Sequence, residues 1–298
     1  MLPPSKLYPV FHKILNWVDR LGWVPSRVTT YLGHPFVYPL DSGIGRQIAG
    51  GEEWDAILGT IIPALLPMDE PAICEVGSNI GASLLQIKRV KPRARIVAFE
   101  PSDRFRPFLK RNLELAAALN RVELFPLLVG RHQGRIWLYN NNTSASVYLR
   151  YDHRPGVQRK GPRRKQFTEM TTLDEVFQER PRVDFIKVDT DGFDLEVVRG
   201  AEATLKRDSP ILYFELFPCA PQESALIASM TWLQSIGYCR FVCFTPSGKL
   251  LGVTDSAEQS VAWAGAKGYC DILVCREGSP SEARIEGIVN HLRVLAIG

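Results

Sequence analysis

From residue 71 onward, short apolar runs alternate with segments in which apolar residues recur every three or four positions. The runs predict β-strands, and the periodic segments predict helices that pack one face against a core. The predicted strands are Ala72–Val76, Arg95–Phe99, Val122–Val129, Val183–Val188, Ile211–Leu216, Tyr238–Phe244 and Cys270–Val274. The predicted helices are Ala82–Arg89, Phe105–Ala118, Leu173–Gln178, Leu195–Leu205 and Ser224–Ile236. This alternation predicts an α/β fold: a seven-stranded, mostly parallel sheet with helices on both faces. No helical pattern separates the last two strands, which could pair antiparallel at the edge.

The segments that flank this core have other patterns. Within residues 1–40, apolar positions at helical spacing predict a helix that packs on the core or on a second subunit of a homo-oligomer. These positions are Leu7, Val10, Phe11, Ile14, Leu15, Val18 and Leu21. Attachment to a membrane surface is the alternative, but the polar face carries few basic residues. We therefore divide the chain into an N-terminal helical extension (1–50), a main domain (51–280) and a C-terminal tail or helix (281–298).

Residues 140–166 interrupt the alternation. They lack periodicity and are rich in arginine and lysine. We expect an excursion from the core that is partly mobile. It is either a solvated loop or a contact for an anionic ligand. Its few aromatic side chains offer little stacking for a single-stranded nucleic acid.

Composition narrows the class of protein. A hydrophobic content of 45% and a charged content of 23% are typical of soluble globular proteins. The net charge of +4 does not indicate a nucleic-acid partner, and we expect none. No run reaches the roughly 20 apolar residues that a membrane helix needs, and prolines and charges break up the N-terminal segment where a signal peptide would need an apolar run. We expect a cytoplasmic protein whose six cysteines are reduced.

A glycine-rich segment, Glu75-Val-Gly-Ser-Asn-Ile-Gly81, directly follows the first predicted strand. Glycine permits positive φ and close approach of a ligand, and ligands of doubly wound sheets bind at the carboxyl ends of strands. The spacing does not match the G-x-G-x-x-G dinucleotide fingerprint. A carboxylate beside the turn would repel a pyrophosphate and attract a cation. The segment therefore favours the ammonium and sulfonium of S-adenosylmethionine over NAD, with a plain strand–helix turn as the alternative.

An acidic residue, Glu100, ends the second predicted strand and is followed by Pro101 and Ser102. A carboxylate at this position can accept hydrogen bonds from both hydroxyls of a ribose. The alternative is a role at the start of the next helix, where Ser102 or Asp103 would be the N-cap.

Three more carboxylates, Asp189, Asp191 and Asp194, follow the fourth predicted strand. Like charges so close together raise at least one pKa unless a cation lies among them. Their place at a strand end predicts a role in ligand binding, in substrate binding or as a general base. Capping of the next helix is the alternative for Asp191 or Asp194.

Together these segments resemble the FkbM family of methyltransferases. The resemblance is carried by Cys74–Gly81, Val97–Pro101, Thr172–Asp174, Phe185–Gly192 and Val198–Ala201, in the family's order, over roughly residues 35–275. It implies a Rossmann-like class I methyltransferase fold with S-adenosyl-L-methionine as the cofactor. It also implies O-methylation of a hydroxyl on a sugar, glycan or natural-product acceptor, which could be anionic given the basic excursion.

The resemblance also implies roles for single residues. The first glycine-rich segment would line the methionine part of the cofactor, Glu100 would hold the ribose, and Asp189 would face the substrate. The full set expected to bind the cofactor is Glu75, Gly77, Ser78, Asn79, Gly81, Glu100, Pro101, Ser102 and Asp189. The catalytic candidates are Asp189 and Asp191, and no metal ligand is predicted.

The chain departs from the family pattern at several positions. Asp191 and Asp194 stand where glutamates are usual, and Glu75 stands where aspartate is commoner. Glu53 lies where the family often has a tyrosine–glutamate pair, so we expect it near the active site.

Other functions compete with O-methylation. Methylation of RNA or another nitrogen nucleophile is disfavoured because Asp189-Thr-Asp-Gly192 replaces the usual N/D-P-P-Y/F signature. An oxidoreductase is disfavoured by the glycine spacing. A scaffold that binds the cofactor without turnover remains open.

Overall fold

A computed structural model describes residues 24–140, 144–147, 164–218 and 223–295. In chain order its strands are β1 (Ser26–Tyr31), β2 (His34–Pro39), β3 (Ala72–Val76), β4 (Arg95–Phe99), β5 (Val122–Phe125), β6 (Leu128–Val129), β7 (Gly134–Asn140), β8 (Ala145–Ser146), β9 (Arg164–Thr171), β10 (Phe185–Val188), β11 (Ile211–Leu216), β12 (Phe241–Phe244), β13 (Leu250–Thr254) and β14 (Cys270–Val274). Its helices are α1 (Gly43–Ala49), α2 (Ala56–Leu65), α3 (Ala82–Val90), α4 (Arg106–Leu115), α5 (Leu173–Phe177), α6 (Asp194–Arg199), α7 (Glu202–Asp208), α8 (Glu223–Ser235), α9 (Ala257–Lys267) and α10 (Pro280–Leu295).

The main sheet has the strand order β13-β12-β14-β11-β10-β3-β4-β5. The five strands from β11 to β5 run parallel, and β14, β12 and β13 add antiparallel pairs at one edge. The reversal between β3 and β10 leaves a crevice at the carboxyl ends of the parallel strands, where ligands bind in sheets of this type. The structure confirms the Rossmann-like class I architecture. The sheet has one strand more than predicted because β13 extends its edge.

Each face of the sheet has its own apolar core. Helices α2, α3, α4 and α10 and the β1–β2 hairpin cover one face, and helices α5 to α9 cover the other. Fully buried strand residues such as Phe185 and Phe214 alternate between these two cores. Such strands contain continuous apolar runs because both of their faces are covered, and this explains why the strands were readable in the sequence.

A second sheet of four short strands, β6-β9-β7-β8, lies outside the main one. It is fastened to the turn after β4: Gln166 on β9 accepts from Asp103 N and donates to the Pro101 carbonyl. The Ser102 hydroxyl on that turn donates to the Asn140 side chain on β7. The small sheet therefore positions one wall of the crevice.

The structure corrects several predicted elements. The run Val122–Val129 divides into β5 and β6, which belong to different sheets, and Pro126 lies between them. The helix over Leu195–Leu205 breaks at Gly200, where the backbone lies so close to Gly130 that a Cβ would overlap the Gly130 carbonyl oxygen. Helix α9 and strand β13 lie between the last two predicted strands, which do pair antiparallel.

The flanking segments also differ from the expectation. Within the predicted helical extension, residues 26–39 form a hairpin, and the apolar positions of residues 7–21 lie outside the described residues. Of the basic excursion, residues 164–166 belong to β9, and residues 148–163 lie outside the described residues. The C-terminal segment is helix α10. In the described parts of the chain, no helix combines the length and apolarity needed to cross a membrane.

Candidate active site

A cleft opens at the carboxyl edge of the main sheet, around the ends of β3, β4 and β10. The protein alone leaves a cavity of about 40 Å³ there. One wall is apolar and the floor carries carboxylates. The lining residues are Val76, Gly77, Asn79, Glu100, Pro101, Leu127, Leu128, Val129, Ala145, Ser146, Val147, Asp189, Thr190, Asp191 and Phe193.

The turn after β3 touches the turn after β10 beside the cleft. Gly77 has a φ of +89°, and a Cβ at this position would overlap the backbone carbonyl oxygen of Asp189. Its amide donates to the Phe99 carbonyl at 3.0 Å. Glycine is therefore needed where the turns after β3 and β10 touch. Asn79, with a φ of 47°, turns its own amide toward β4.

Glu100 accepts a hydrogen bond from that backbone amide of Asn79. One carboxylate oxygen, Oε2, accepts from Asn79 N at 2.7 Å, and the other, Oε1, accepts from Ser102 N at 2.8 Å. The residue is 5% exposed, and burial raises the pKa of its carboxyl to about 7 despite these two hydrogen bonds. A carboxylate oxygen has two lone pairs. Glu100 is therefore fixed in place and can still accept further hydrogen bonds from a ligand in the cleft.

A buried lysine, Lys187 on β10, lies beneath the other side of the cleft. Its Nζ is 3.0 Å from Asp189 Oδ2, 3.3 Å from Asp55 Oδ2 and 3.9 Å from Glu75 Oε1. Burial by itself lowers the pKa of a lysine, but these carboxylates outweigh it and raise the pKa of Lys187 well above its usual value. Lys187 is therefore a permanent cation that holds the Asp189 carboxylate in one orientation.

The loop after β10 is held by Asp194. Its carboxylate accepts from Thr190 N at 3.2 Å and from Gly192 N at 2.9 Å, and the side chain is buried. Burial, together with the nearby Asp189, raises the pKa of Asp194 to about 7. Asp191, at a φ of 53°, lines the cleft on the loop that Asp194 closes. Asp194 thus holds the preceding loop closed, and it is not the cap of the next helix, whose N-cap is Phe193, whereas Asp191 lines the cleft.

The structure brings together six of the residues expected at the site. Gly77, Asn79, Glu100, Pro101, Asp189 and Asp191 all line the cleft. The others support it from below or behind. Glu75 and Ser78 are buried under the turn, Gly81 begins α3 against Leu109, and Ser102 holds Glu100 and the small sheet. Within the described residues, no three His, Cys, Asp or Glu side chains are placed to hold a metal ion.

Sequence reasoning missed a further acidic residue at the site. Glu53, which we expected there, pairs with Arg89 on α3 instead. Asp55, at the start of α2, contacts Lys187, and burial raises the pKa of its carboxyl. Its φ of 51° is uncommon for a residue other than glycine. Nothing in the local sequence pattern marks Asp55, because its partner lies on a distant strand.

The comparisons with known proteins agree with this geometry. A family model described as the methyltransferase FkbM domain matches residues 75–238, more than half of the chain. These residues run from the turn after β3 to the segment before β12 and include the walls of the cleft.

Two curated proteins and one solved structure are similar to the chain. Methyltransferase sdnD of Sordaria araneosa is 29% identical over 185 residues, which cover 53% of this chain and 71% of that protein. The 2-O-methyltransferase NoeI of Sinorhizobium fredii (strain NBRC 101917 / NGR234) is 26% identical over 160 residues, covering 49% of this chain and 63% of that protein. The solved methyltransferase FkbM of Methylobacillus flagellatus KT has a TM-score of 0.46 and 17% identity, covering 75% of this chain and 49% of that one.

The chain thus spans about half the length of the solved FkbM protein and less than two thirds of NoeI. The match of the family model nevertheless includes both the glycine-rich turn and the strand that ends in Asp189. The chain belongs to the FkbM methyltransferase family, a family of enzymes that transfer methyl groups.

Proposed function

We propose that the protein is an S-adenosyl-L-methionine-dependent O-methyltransferase that acts on a hydroxyl of a sugar, glycan or natural-product acceptor. The observation that carries the proposal is the position of Glu100. Its carboxylate lies at the end of β4, lines the cleft and is oriented by two backbone amides from the turns on either side. A carboxylate so placed suits the two hydroxyls of a ribose.

The remaining walls fit the other parts of this cofactor. Pro101, Leu127 and Leu128 offer an apolar surface for an adenine ring. Asp189 and Asp191 put carboxyl groups in the cleft, which suits the positively charged methionine end. When bound, S-adenosylmethionine supplies a methyl group that its sulfonium has already activated.

The chain's own residues then orient and deprotonate the acceptor. An alcohol is a weak nucleophile, and a carboxylate within hydrogen-bond reach helps by accepting its proton. Asp189 suits this role because its side chain is 35% exposed, lines the cleft and is held by Lys187 at 3.0 Å. Asp191 on the same loop is the second candidate base. We assign hydroxyl rather than nitrogen chemistry because the amino-methylating signature is absent and because the relative NoeI is named a 2-O-methyltransferase.

Calorimetric binding of S-adenosylhomocysteine, the reaction product, tests the cofactor assignment. We expect micromolar binding to the wild type, weakened by roughly 1–3 kcal/mol in Glu100→Ala, as for a hydrogen bond to a charged group. Glu114→Ala, an exposed glutamate on α4, is the matched control and should bind like the wild type.

Two results would contradict the proposal. Folded wild-type protein that does not bind S-adenosylhomocysteine would exclude the cofactor. Binding without methyl transfer to any hydroxyl acceptor in a broad screen would favour a cofactor-binding scaffold.

A further inference from the structure

The small sheet has one buried face and one largely exposed face. Leu138, Asn140 and Thr168 are buried, and Asn140 accepts a hydrogen bond from the Ser102 hydroxyl on the turn after β4. Their neighbours in β7 and β9 lie on the opposite face, because side chains alternate along a strand. These neighbours form three cross-strand pairs, which together we call the outer face: Arg135 opposite Glu169, Trp137 opposite Phe167, and Tyr139 opposite Lys165.

Contacts order the outer face but leave its aromatic rings exposed. The rings of Trp137 and Phe167 meet at a centroid distance of 5.0 Å with an interplanar angle of 49°. The Arg135 guanidinium lies 5.7 Å from the centre of the Phe167 ring and pairs with Glu169 at 3.1 Å. Trp137 is nevertheless 50% exposed, and Phe167 is 52% exposed. Soluble proteins seldom leave adjoining large apolar side chains in water, and such a patch marks an interaction site.

The charge of the outer face is positive and sparse. Glu169 neutralises Arg135, whereas Lys165 makes no ion pair with another described residue, and its Nζ lies 5.5 Å from the centre of the Tyr139 ring. An anionic group suits this lysine. The chain that joins β8 to β9 is itself basic, so its charge does not favour it as the cover. A nucleic-acid strand carries a phosphate on every nucleotide and is bound by grooves with many basic residues, which this face lacks.

An oligosaccharide that carries carboxylates on some of its rings matches both features of the outer face. One side of a sugar ring presents C–H groups, which pack against the face of an aromatic ring because that face carries partial negative charge. Trp137 and Phe167 offer such faces to solvent. A carboxylate on a neighbouring sugar can pair with Lys165, and a few such groups suffice because few cations are present.

The outer face is continuous with the cleft. Tyr139 lies opposite Ser146 of β8, and Ser146 lines the cleft. Trp137 lies two residues further along β7 from Tyr139, which is about 7 Å along the strand. A chain molecule that lies along β7 therefore has one end at the cleft and its remainder over the exposed aromatic rings.

We infer that the outer face binds an oligosaccharide with carboxylates on some of its rings, and that this chain contains the acceptor sugar of the proposed function. Trp137 and Phe167 pack against its sugar rings, and Lys165 pairs with a carboxylate. The sugar that enters the cleft is a neutral one, because the carboxylates of Asp189 and Asp191 repel an anion. The identity of the chain as the acceptor rests on the proposed function, whereas its binding to the outer face does not.

Calorimetric titration of the full-length protein with three probes tests the inference. The probes are a hyaluronan hexasaccharide, which has a carboxylate on alternate rings, the neutral chitohexaose, and decauridylate as a single-stranded nucleic acid. Trp137→Ala removes a central ring of the outer face, Trp137→Phe keeps a ring, and Lys165→Gln removes the charge. The matched controls are Met68→Ala and Lys110→Gln, which change exposed side chains before β3 and on α4. Affinity for S-adenosylhomocysteine is measured for every variant and reports folding and the cleft.

We expect the hyaluronan hexasaccharide to bind more tightly than chitohexaose, and decauridylate to bind weakest. Trp137→Ala should weaken the binding of both oligosaccharides about tenfold or more, and Trp137→Phe should keep most of the wild-type affinity. Lys165→Gln should weaken the binding of the acidic oligosaccharide alone, by about threefold or more. Both control variants should bind all three probes like the wild type, and affinity for S-adenosylhomocysteine should be unchanged throughout.

Four results would overturn the inference: unchanged oligosaccharide binding in Trp137→Ala, equal losses for both oligosaccharides in Lys165→Gln, tighter binding of decauridylate than of either oligosaccharide, or no oligosaccharide binding to folded protein. Sedimentation adds a further test, since a dimer that Trp137→Ala dissociates would assign the outer face to a second copy of the chain. A wild type that binds the hyaluronan hexasaccharide but not S-adenosylhomocysteine would instead contradict the proposed function.

Discussion

The two halves of the carboxyl edge differ in how their carboxylates are satisfied. Over β3 and β4, Glu100 is held by two backbone amides that the adjoining turns supply. Over β10, by contrast, the carboxylates of Asp55, Glu75 and Asp189 surround one buried cation, Lys187. Neutral backbone donors therefore orient the carboxylate of the first half, whereas a single charged side chain orients those of the second. An arrangement that depends on one cation should be the more sensitive of the two to a single substitution.

The largest effect should follow from removing the shared cation. Lys187→Met leaves Asp55, Glu75 and Asp189 without their positive partner, and breaking a buried pair in this way costs about 3–5 kcal/mol of unfolding free energy. Urea denaturation at neutral pH measures the loss. The exposed Lys206→Met, which breaks a surface pair with Glu202, is the control and should cost under about 1 kcal/mol. Similar losses in the two variants would show that Lys187 is not the cation that holds this half together.

A smaller loss of unfolding free energy should follow from adding a methyl group at Gly77, in the turn after β3. Gly77→Ala meets both a positive φ and the Asp189 carbonyl, so we expect a loss of about 2–4 kcal/mol and weakened S-adenosylhomocysteine binding. Gly33→Ala has a similar φ of +82° but no atom within 4 Å of the added Cβ. It should cost only about 1 kcal/mol. Thermal unfolding of the two variants separates the cost of the positive φ, which both share, from the cost of the steric overlap, which only Gly77→Ala has. An equal loss of unfolding free energy in the two variants would mean that the turns after β3 and β10 do not touch.

The pH dependence of binding tests Glu100. Its pKa in the folded protein, about 7, lies above the usual 4.5, so its contribution to the free energy of unfolding declines as pH rises from 4.5 to 7, by about 3 kcal/mol in full. Hydrogen-bond donors on a ligand favour the ionised form of the Glu100 side chain. S-adenosylhomocysteine should therefore bind more tightly as pH rises, by about three- to tenfold between about pH 6 and about pH 8.

Calorimetry at the two pH values gives this ratio. Because the pKa of Asp194 also lies near 7, Glu100→Ala is the necessary comparison, and its affinity should change little with pH. An unchanged slope in that variant would assign the titration to Asp194 instead.

The smallest effect should be a gain in stability. Burial, followed by neighbouring carboxylates, raises the pKa of Glu215 and Asp271, so holding these groups in the folded protein has a cost that Glu215→Gln and Asp271→Asn avoid, and each variant should stabilise the protein without ligand by about 1 kcal/mol. Glu179→Gln, at an exposed position after α5, is the control and should change the free energy of unfolding little. Chemical denaturation of the three variants gives the values. Destabilisation by both variants would contradict the unfavourable burial of these two carboxyl groups.

Much of the half around β3 and β4 was predictable from the sequence because its signals are local. Strands β3 and β4 are continuous apolar runs, and both were predicted to the residue. Their turns follow within the same segments, so Gly77, Asn79 and Glu100 could be placed at one edge from the rule that parallel strands end together. The predicted element boundaries that were wrong depend on contacts with residues far away in the sequence. At Gly200, where the predicted helix breaks, the backbone packs against Gly130, 70 residues earlier in the chain.

The sequence by itself determined the alternation of strands and helices, the order of the family's motifs and the carboxylates at the ends of β4 and β10. Only the tertiary structure decided which charges meet. Asp55, Lys187, Glu215 and Asp271 come from different elements, and although Lys187 also pairs with Asp189 two residues on, no local pattern shows that these four meet. Strand register and the placement of α2 bring them together. Hydrogen bonds between neighbouring strands determine which residues lie opposite each other in the sheet, however far apart those residues are along the chain. A pattern along the chain can show that a strand ends in a carboxylate, but not which charge lies beside it in the folded protein.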